Sequence, residues 1–210
     1  MQKAASLIDA EYGIIKLLSP AQTKLHYYGY ISSYPEGVRE NGGQYTHAAV
    51  WYAKALAILR ESVEKDGKTY DATDILNMLN PIIRGQDVAL DRAYKGEPYV
   101  LAGDIYSNRD NYGRMGWSWY TGAASILYDT IIRDFLGIRI YGDRMVFSKP
   151  ALRNWEGTQL TYTDNGTVYE ITFVKSRENA IKIDGLTLKG EMSMRLKPDK
   201  GKCQVLVSFR

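Results

Sequence analysis

"LTYTDNGTVYEITF", Leu160 to Phe173, is the stretch that decides the architecture of the second half of the chain. Large apolar residues occupy every second position on both sides of Asp164-Asn165-Gly166. Alternation with a period of two is typical of a half-buried strand, and Asn-Gly is a strong signal for a tight hairpin turn. The stretch therefore predicts two antiparallel strands joined at Asn165-Gly166.

The same alternation continues to the C-terminus. It recurs in short runs separated by turn residues, with Asp184-Gly185 as a second tight turn. The runs are Ile181/Ile183, Leu186/Leu188, Met192/Met194/Leu196 and Val205/Val207/Phe209. We therefore expect residues 138–210 to form a small antiparallel β-domain with a sandwich-like arrangement.

Residues 1–137 have helical periodicity instead. The predicted helices are residues 4–18, 46–60, 71–79 and 119–136, with Pro20, Asn80-Pro81 and Gly137 as stop signals. The last helix is expected to bury Ala124, Leu127, Tyr128, Ile131 and Phe135. The 35 residues from 82 to 116 far exceed a common loop of about 4–6 residues, which indicates a functional loop or further short helices.

Composition excludes several classes of protein. The chain has 210 residues, 45% of them hydrophobic, and its 27 basic and 24 acidic residues give too small an excess for nucleic-acid binding. No apolar run approaches 18 residues, so we expect no membrane span. The N-terminus lacks the apolar core of a signal peptide, and the single Cys203 fits a reducing compartment, so the expected location is the cytoplasm.

Catalytic nucleophiles and metal sites have little support. Neither Cys203 nor any serine lies in a recognisable nucleophile motif, and His26 and His47 are far apart without any pair of cysteines. The 17 tyrosines and four tryptophans are many for this length. Aromatic rings of this kind form cores, but they also stack on sugars.

The stretch "RENGGQYTHAAVW", Arg39 to Trp51, gathers hydrogen-bonding groups at the start of a predicted helix. Gly42 and Gly43 let the backbone approach a ligand closely. His47 lies in the first helical turn, where N–H groups without helical partners and the positive end of the helix dipole favour anions. The pattern therefore predicts a binding site at this helix start.

The stretch "GRMGWSWYTGAAS", Gly113 to Ser125, is built in the same way. Glycines and aromatic residues lead into Thr121-Gly122, at the first turn of the next long predicted helix. If the two helix starts converge, His47, Thr121 and Gly122 would form a site for a tetrahedral oxyanion. The alternative is that His47 and Thr121 only cap their helices.

Three blocks of this sequence resemble the C-terminal part of glycoside hydrolase family 94. The blocks are "YPEGVRENGGQYTHAAVW" (34–51), "EPYVLAGDIYS" (97–107) and "GRMGWSWYTGAASILY" (113–128), in the family's order. The family holds cellobiose, chitobiose and β-1,2-oligoglucan phosphorylases and the C-terminal region of cyclic β-1,2-glucan synthases. The residues GGQYTHAA and GWSWYTG in these blocks are more similar to the β-1,2-glucan members than to the cellobiose enzymes. The resemblance implies an α+β multidomain fragment: the C-terminal portion of an (α/α)₆ barrel followed by a small β-domain.

The resemblance also implies a reaction. Family members cleave a β-glucosidic bond with inorganic phosphate in place of water and release an inverted α-sugar 1-phosphate, with phosphate as co-substrate and no other cofactor. Phosphate is already an anionic nucleophile, so such an enzyme needs a general acid and a phosphate site instead of the acid and base of an inverting glycosidase. The family's phosphate site maps onto His47, Thr121 and Gly122. The residues expected to contact the sugar are Arg39, Glu40, Gln44, Trp117 and Trp119.

The family's general acid is an upstream aspartate in a segment that has no match in this sequence. No family motif supports Asp104 or Asp110 in that role, so the sequence is interpreted as a fragment. The alternatives are the C-terminal fragment of a cyclic β-1,2-glucan synthase and a non-catalytic carbohydrate-binding or interaction module. The expected partners are a β-glucan or β-glucoside oligosaccharide, phosphate, and either the missing N-terminal part or a second copy. The faces expected to be open for that contact are Ala4, Leu7, Ile8, Ile15 and Ala49, Ala53, Ala57.

Overall fold

The structure, a computed structural model, describes residues 1–23, 28–80, 86–97, 99–118, 122–198 and 201–210. The chain divides into two compact units, Met1–Thr130 and Ile131–Arg210. Helices and strands are both present, as the α+β prediction requires. The (α/α)₆ barrel and the β-sandwich stay predictions.

The N-terminal segment corrects the helix predicted for residues 4–18. Only α1 (Gln2–Ala5) is helical, and an antiparallel hairpin of β1 (Ile8–Asp9) and β2 (Ile14–Ile15) follows it. Gly13 has a φ of 60° in the turn between these strands. The β-branched pair after this glycine favours a strand over a helix. The apolar spacing fitted a helical face, but the turn and the β-branched residues decide the structure.

The next two helices lie where they were predicted. β3 (Gln44–Tyr45) leads directly into α2 (Thr46–Leu59). α3 spans Ala72–Leu79, and the Asp71 carboxylate caps it by accepting a hydrogen bond from the N–H of Asp74. The hairpin between these helices, β4 (Val63–Lys65) and β5 (Lys68–Tyr70), was not predicted, although the turn sequence Asp-Gly signals it.

The small residues of α2 lie inside the first unit. Ala49, Ala53 and Ala57 are at most 2% exposed, where α2 packs against neighbouring helices of the same unit. The prediction that they form an open face was therefore wrong. The same holds for Ile8 and Ile15, which are 0% and 6% exposed.

The stretch from 82 to 116 contains short elements, as one of the two interpretations proposed. α4 spans Val88–Tyr94 and begins after the cap residue Asp87. β6 (Asp104–Ile105) and a 3₁₀ turn at Arg109–Asn111 follow. Residues 81–85 and 98 lie outside the described part of the chain.

The last predicted helix is present from Ala123 onward in the described residues. α5 spans Ala123–Thr130, and a π turn continues it over Ile131–Phe135. Gly137 has a φ of 73°, so its predicted role as the helix stop is confirmed. Residues 119–121, at the predicted start, lie outside the described residues.

The predicted buried side is confirmed in the π turn, where Phe135 is buried and Ile131 packs against a buried cluster, but the buried side of α5 itself differs from the predicted one. It runs through Ala123 and Thr130, whereas Ala124 and Tyr128 are exposed. A shift by one residue rotates a helical face by about 100°, which places Ala123 instead of Ala124 on the buried side. None of the helices in the described ranges is long and apolar enough to cross a membrane.

The second unit is built from strands β7 to β14. Their bounds are Ile138–Tyr141, Arg144–Phe147, Gln159–Asp164, Thr167–Lys175, Ala180–Ile183, Leu186–Lys189, Ser193–Arg195 and Lys202–Phe209. One sheet has the order β12-β11-β14-β10-β9, and the other has the order β13-β8-β7. Both predicted hairpin turns are confirmed, with positive φ at Asn165-Gly166 and at Asp184-Gly185.

One strand pair corrects the prediction of an antiparallel sheet. β10 and β14 run parallel, with Tyr169 opposite Cys203 and Phe173 opposite Val207. Parallel and antiparallel strands share the period of two, so the sequence pattern carries no information on direction. Most of the predicted inward-facing residues lie in or against the core that both sheets share, but Leu186 is 68% exposed, so that part of the prediction was wrong. Cys203, which was not predicted to face inward, is buried in the same core.

Candidate functional site

A short backbone ladder brings the three sequence blocks together in the first unit. β3 pairs antiparallel with β6, and the N–H of Thr46 donates to the carbonyl of Gly103 at 3.0 Å. The N–H of Gly103 in turn donates to the carbonyl of Trp117 at 2.7 Å. The N–H of Gly116 donates to the backbone carbonyl of Asp104 at 3.0 Å. The start of α2 and the segment that leads towards α5 are therefore both held by β6.

His47 and Gly122 lie side by side at the starts of α2 and α5. A methyl group on Gly122 would lie 3.5 Å from Cε1 and 3.6 Å from Nδ1 of His47. The imidazole packs edge-on against Trp51, with ring centroids 4.8 Å apart. Gly122 itself is exposed and His47 is half-buried, so the space beside them is open to solvent. The structure thus brings together two of the three residues predicted for the oxyanion site.

Two of the predicted site residues, Thr121 and Trp119, lie outside the described residues. Trp117 is described, and 52% of its surface is exposed. Its backbone is fixed at both ends, because its carbonyl accepts from Gly103 and its N–H donates to Oδ1 of Asp104 at 3.2 Å. The Trp117 ring is therefore presented to solvent by an anchored backbone.

Arg39 and Glu40 form an ion pair beside the same ladder. Nε of Arg39 lies 3.6 Å from Oε2 of Glu40, and the guanidinium lies over the rings of Tyr34 and Tyr45 at 5.2 and 5.5 Å. Both paired atoms are shielded from solvent and have no hydrogen-bond partner among the described residues. A Cβ on Gly43 would lie 2.9 Å from the backbone nitrogen of Arg39, so this close approach requires glycine.

Gln44 and Asn41 support the site from inside. Oε1 of Gln44 accepts from the N–H of Ile15 at 2.8 Å, and its Nε2 donates to the Thr46 hydroxyl at 3.2 Å. Asn41 bonds both the N–H and the carbonyl of Gln22 through its side chain. Gln44 and Asn41 are each only 1% exposed. Both side chains therefore support the backbone around the site, and the sugar contact predicted for Gln44 stays a prediction.

Asp104 belongs to this site, although the sequence analysis named it only as an unsupported general acid. It is 1% exposed, and Oδ2 of its carboxyl has no hydrogen-bond partner within the described ranges. Burial raises its pKa, the nearby Glu40 carboxylate adds to the rise, and the N–H of Trp117 and the charge and backbone N–H of Arg39 oppose it. The available signal was a single acid inside the apolar run "VLAGDIY". Asp110 differs, because it is exposed in the 3₁₀ turn.

Comparison with known proteins agrees with the resemblance. Residues 1–137 match the Glycosyl hydrolase 94 superfamily, catalytic domain. The chain is 38% identical over 189 residues to the cyclic beta-(1,2)-glucan synthase NdvB of Rhizobium meliloti, an alignment that covers 88% of this chain and 6% of that protein. It is 24% identical over 164 residues to the N,N'-diacetylchitobiose phosphorylase of Vibrio furnissii, with 78% of this chain and 19% of that protein covered.

A third relative is the 1,2-beta-oligoglucan phosphorylase of Listeria innocua. The identity is 23% over 158 residues, which cover 70% of this chain and 14% of that protein. The chain thus spans less than one fifth of the length of each of these relatives. Because the family match extends over residues 1–137 of 210, the chain belongs to the glycosyl hydrolase 94 superfamily.

Proposed function

We propose that this chain is the phosphate-binding C-terminal portion of an inverting β-glucoside phosphorylase, which uses phosphate to release an α-sugar 1-phosphate from a glucan. One observation carries the proposal: the imidazole of His47, in the first turn of α2, lies beside Gly122, directly before α5. Two helix starts and a ring N–H donor thereby meet at one open position.

The chemistry of phosphate fits such a position. Phosphate presents acceptor oxygens in a tetrahedron, and helix starts offer N–H groups together with the positive end of the helix dipole. Donors held in place by folded backbone need no rearrangement when negative charge arrives. His47 would donate one hydrogen bond and Gly122 would leave room for the anion, with Thr121 as the third contact expected from the family.

The sugar would bind next to the phosphate, between the Arg39–Glu40 pair and the Trp117 ring. The exposed indole offers a flat apolar face for a pyranose ring, while the ion pair supplies both donors and acceptors for hydroxyl groups. In an inverting displacement, phosphate attacks the anomeric carbon on the side opposite the leaving oxygen. The proton for that oxygen would come from the general acid, which we assign to no residue of this chain.

A second candidate function is the corresponding portion of a cyclic β-1,2-glucan synthase. The 38% identity to the Rhizobium meliloti synthase, against 23–24% to the phosphorylases, favours it. Both candidates would use the same phosphate site, and the resemblance to β-1,2-glucan members leads us to expect a β-1,2-linked sugar for both, so they make the same prediction for ligand binding by this chain.

Isothermal titration calorimetry of the chain with inorganic phosphate and, separately, with the β-1,2-linked disaccharide sophorose tests the proposal. We expect saturable binding of one phosphate per chain, competition by sulfate, and tighter binding of sophorose than of cellobiose. A chain that binds sophorose but no phosphate would support the carbohydrate-binding module instead. A chain that binds neither would refute the proposed function.

A further inference from the structure

Asp104 touches the segment that carries Trp117. Its Oδ1 accepts the hydrogen bond from the N–H of Trp117 at 3.2 Å. A Cβ on Gly116 would lie 2.3 Å from that same oxygen, so the turn closes directly onto the carboxyl group. Any side chain at position 116 would push the carboxyl away from this place.

The same carboxyl group faces the segment that carries Glu40. A Cβ on Gly43 would lie 2.9 Å from the backbone nitrogen of Arg39 and 3.0 Å from the carbonyl oxygen of Ile105, so the Arg39–Glu40 segment lies beside the strand that carries Asp104. At this place the charge of Arg39 attracts the carboxyl group of Asp104, and that of Glu40 repels it. One guanidinium thus lies near two carboxyl groups, and its Nε is 3.6 Å from Oε2 of Glu40. Moving Asp104 would therefore change the balance of charge that holds Glu40.

A buried carboxyl group at this position is unfavourable for the stability of the fold. Its Oδ2 has no hydrogen-bond partner within the described parts of the chain, and burial of an unsatisfied polar atom costs free energy. Proteins keep such departures from the rule of satisfied polar groups chiefly at functional sites.

We propose that Asp104 is a positioning residue that fixes Glu40 and Trp117 relative to each other for binding of the sugar. This inference rests on the proposed function, because it takes these two residues as sugar contacts. Asp104 does not itself reach the ligand, since it is 1% exposed. We expect its effect to fall on the sugar side of the site, because its carboxyl group contacts the Gly116–Trp117 segment and interacts with the charges of Arg39 and Glu40.

Two variants test this role from different directions. Asp104→Asn keeps an acceptor for the N–H of Trp117 but removes the attraction to Arg39, whereas Gly116→Ala displaces the carboxyl and leaves every charge in place. We expect both to weaken sophorose binding by about tenfold or more while phosphate binding stays within about twofold. Asp110→Asn, the same change at an exposed carboxylate, is the matched control and should alter neither Kd.

The wild-type chain provides an independent measurement. In an amide NMR titration, sophorose should shift the signals of Glu40 and Trp117 together, and phosphate should shift those of His47 and Gly122. Sophorose shifts at only one of Glu40 and Trp117 would overturn the proposal even if the variants do not fold.

The remaining outcomes separate the two claims. Sophorose binding unchanged in both variants, in a chain that binds both ligands, would overturn the role of Asp104 and leave the proposed function standing. Equal loss of sophorose and phosphate binding would overturn it as well, because it would show that the carboxyl serves the fold as a whole. Wild-type chain that binds neither ligand would refute the proposed function and this role with it.

Discussion

Replacing His47 with alanine removes one proposed phosphate donor and leaves the start of α2 intact. His47 is half-buried and packs against the exposed Trp51, so the substitution opens no cavity in the core. The first turn keeps its support, because the Thr46 hydroxyl accepts from Gln44 and the Thr46 N–H donates to Gly103. Alanine is also the best helix former. We therefore expect the variant to fold like the wild-type chain.

The expected loss of affinity follows from the donor that is removed. A hydrogen bond to a charged group contributes about 1.5–3 kcal/mol, which corresponds to a Kd for phosphate about 10- to 150-fold higher. Gly122→Ala should have a smaller effect, about tenfold or less. Its methyl group makes an ordinary contact with Cε1 of His47 at 3.5 Å but occupies space beside the imidazole.

Calorimetric titration with phosphate measures both variants, and Lys54→Ala serves as their control. Nζ of Lys54 lies 3.7 Å from the carboxylate of Asp129, and the variant removes a full positive charge from the same helix. We expect the control to bind phosphate within about twofold of wild type, because screened surface charges contribute little. The reasoning is refuted if His47→Ala binds like wild type, or if Lys54→Ala loses as much affinity as His47→Ala.

Three further predictions concern activity, association and pH. The purified chain should release no glucose 1-phosphate from sophorose and phosphate, because general acid catalysis typically increases the rate about 10²–10⁴-fold and no general acid is assigned to this chain. Release of glucose 1-phosphate that His47→Ala abolishes would contradict this prediction. Light scattering should detect self-association through Trp51, Ile58 and Tyr128, which are 57%, 55% and 67% exposed. Ile58→Glu should reduce this self-association, and a 23.8 kDa monomer of the wild-type chain would refute the prediction. Since the pKa of Asp104 is raised, its contribution to stability is fully present below 3.8 and is lost as pH rises through the folded-state pKa. In denaturant titrations of the wild-type chain, this loss should lower the free energy of unfolding as pH rises above 3.8, and the decrease should be smaller in Asp104→Asn. An equal decrease in both proteins would contradict the raised pKa assigned to Asp104.

The sequence predicted the elements whose local signals agree with their packing. The hairpin at Asn165-Gly166 needs positive φ at both residues, and only a few residue types accept that conformation. α3 carries its own cap at Asp71, so its start could be read from the sequence. In each case a single short stretch contains all the information that fixes the structure.

The sequence failed where distant contacts decide. The parallel direction of β10 and β14 depends on how the intervening strands cross, which a period of two does not encode. Ile14 and Ile15 form a strand whose N–H at position 15 bonds the side chain of Gln44, 29 residues away. For the same reason, Asp104 could not be recognised as part of the site, because its neighbours Arg39 and Trp117 come from two other segments.

The site depends on backbone proximity as much as on its side chains. Arg39 has a φ of 49°, a left-handed conformation that costs a non-glycine residue about 1–2 kcal/mol. At the same place Gly43 lies directly against the backbone of Arg39, and in the neighbouring turn Gly116 lies directly against the carboxyl group of Asp104. A side chain at either glycine would move the ion pair or the Trp117 turn without removing a single polar group. The proposed sugar contacts should therefore be as sensitive to these two glycines as to Glu40 itself, because the glycines determine where its carboxylate lies.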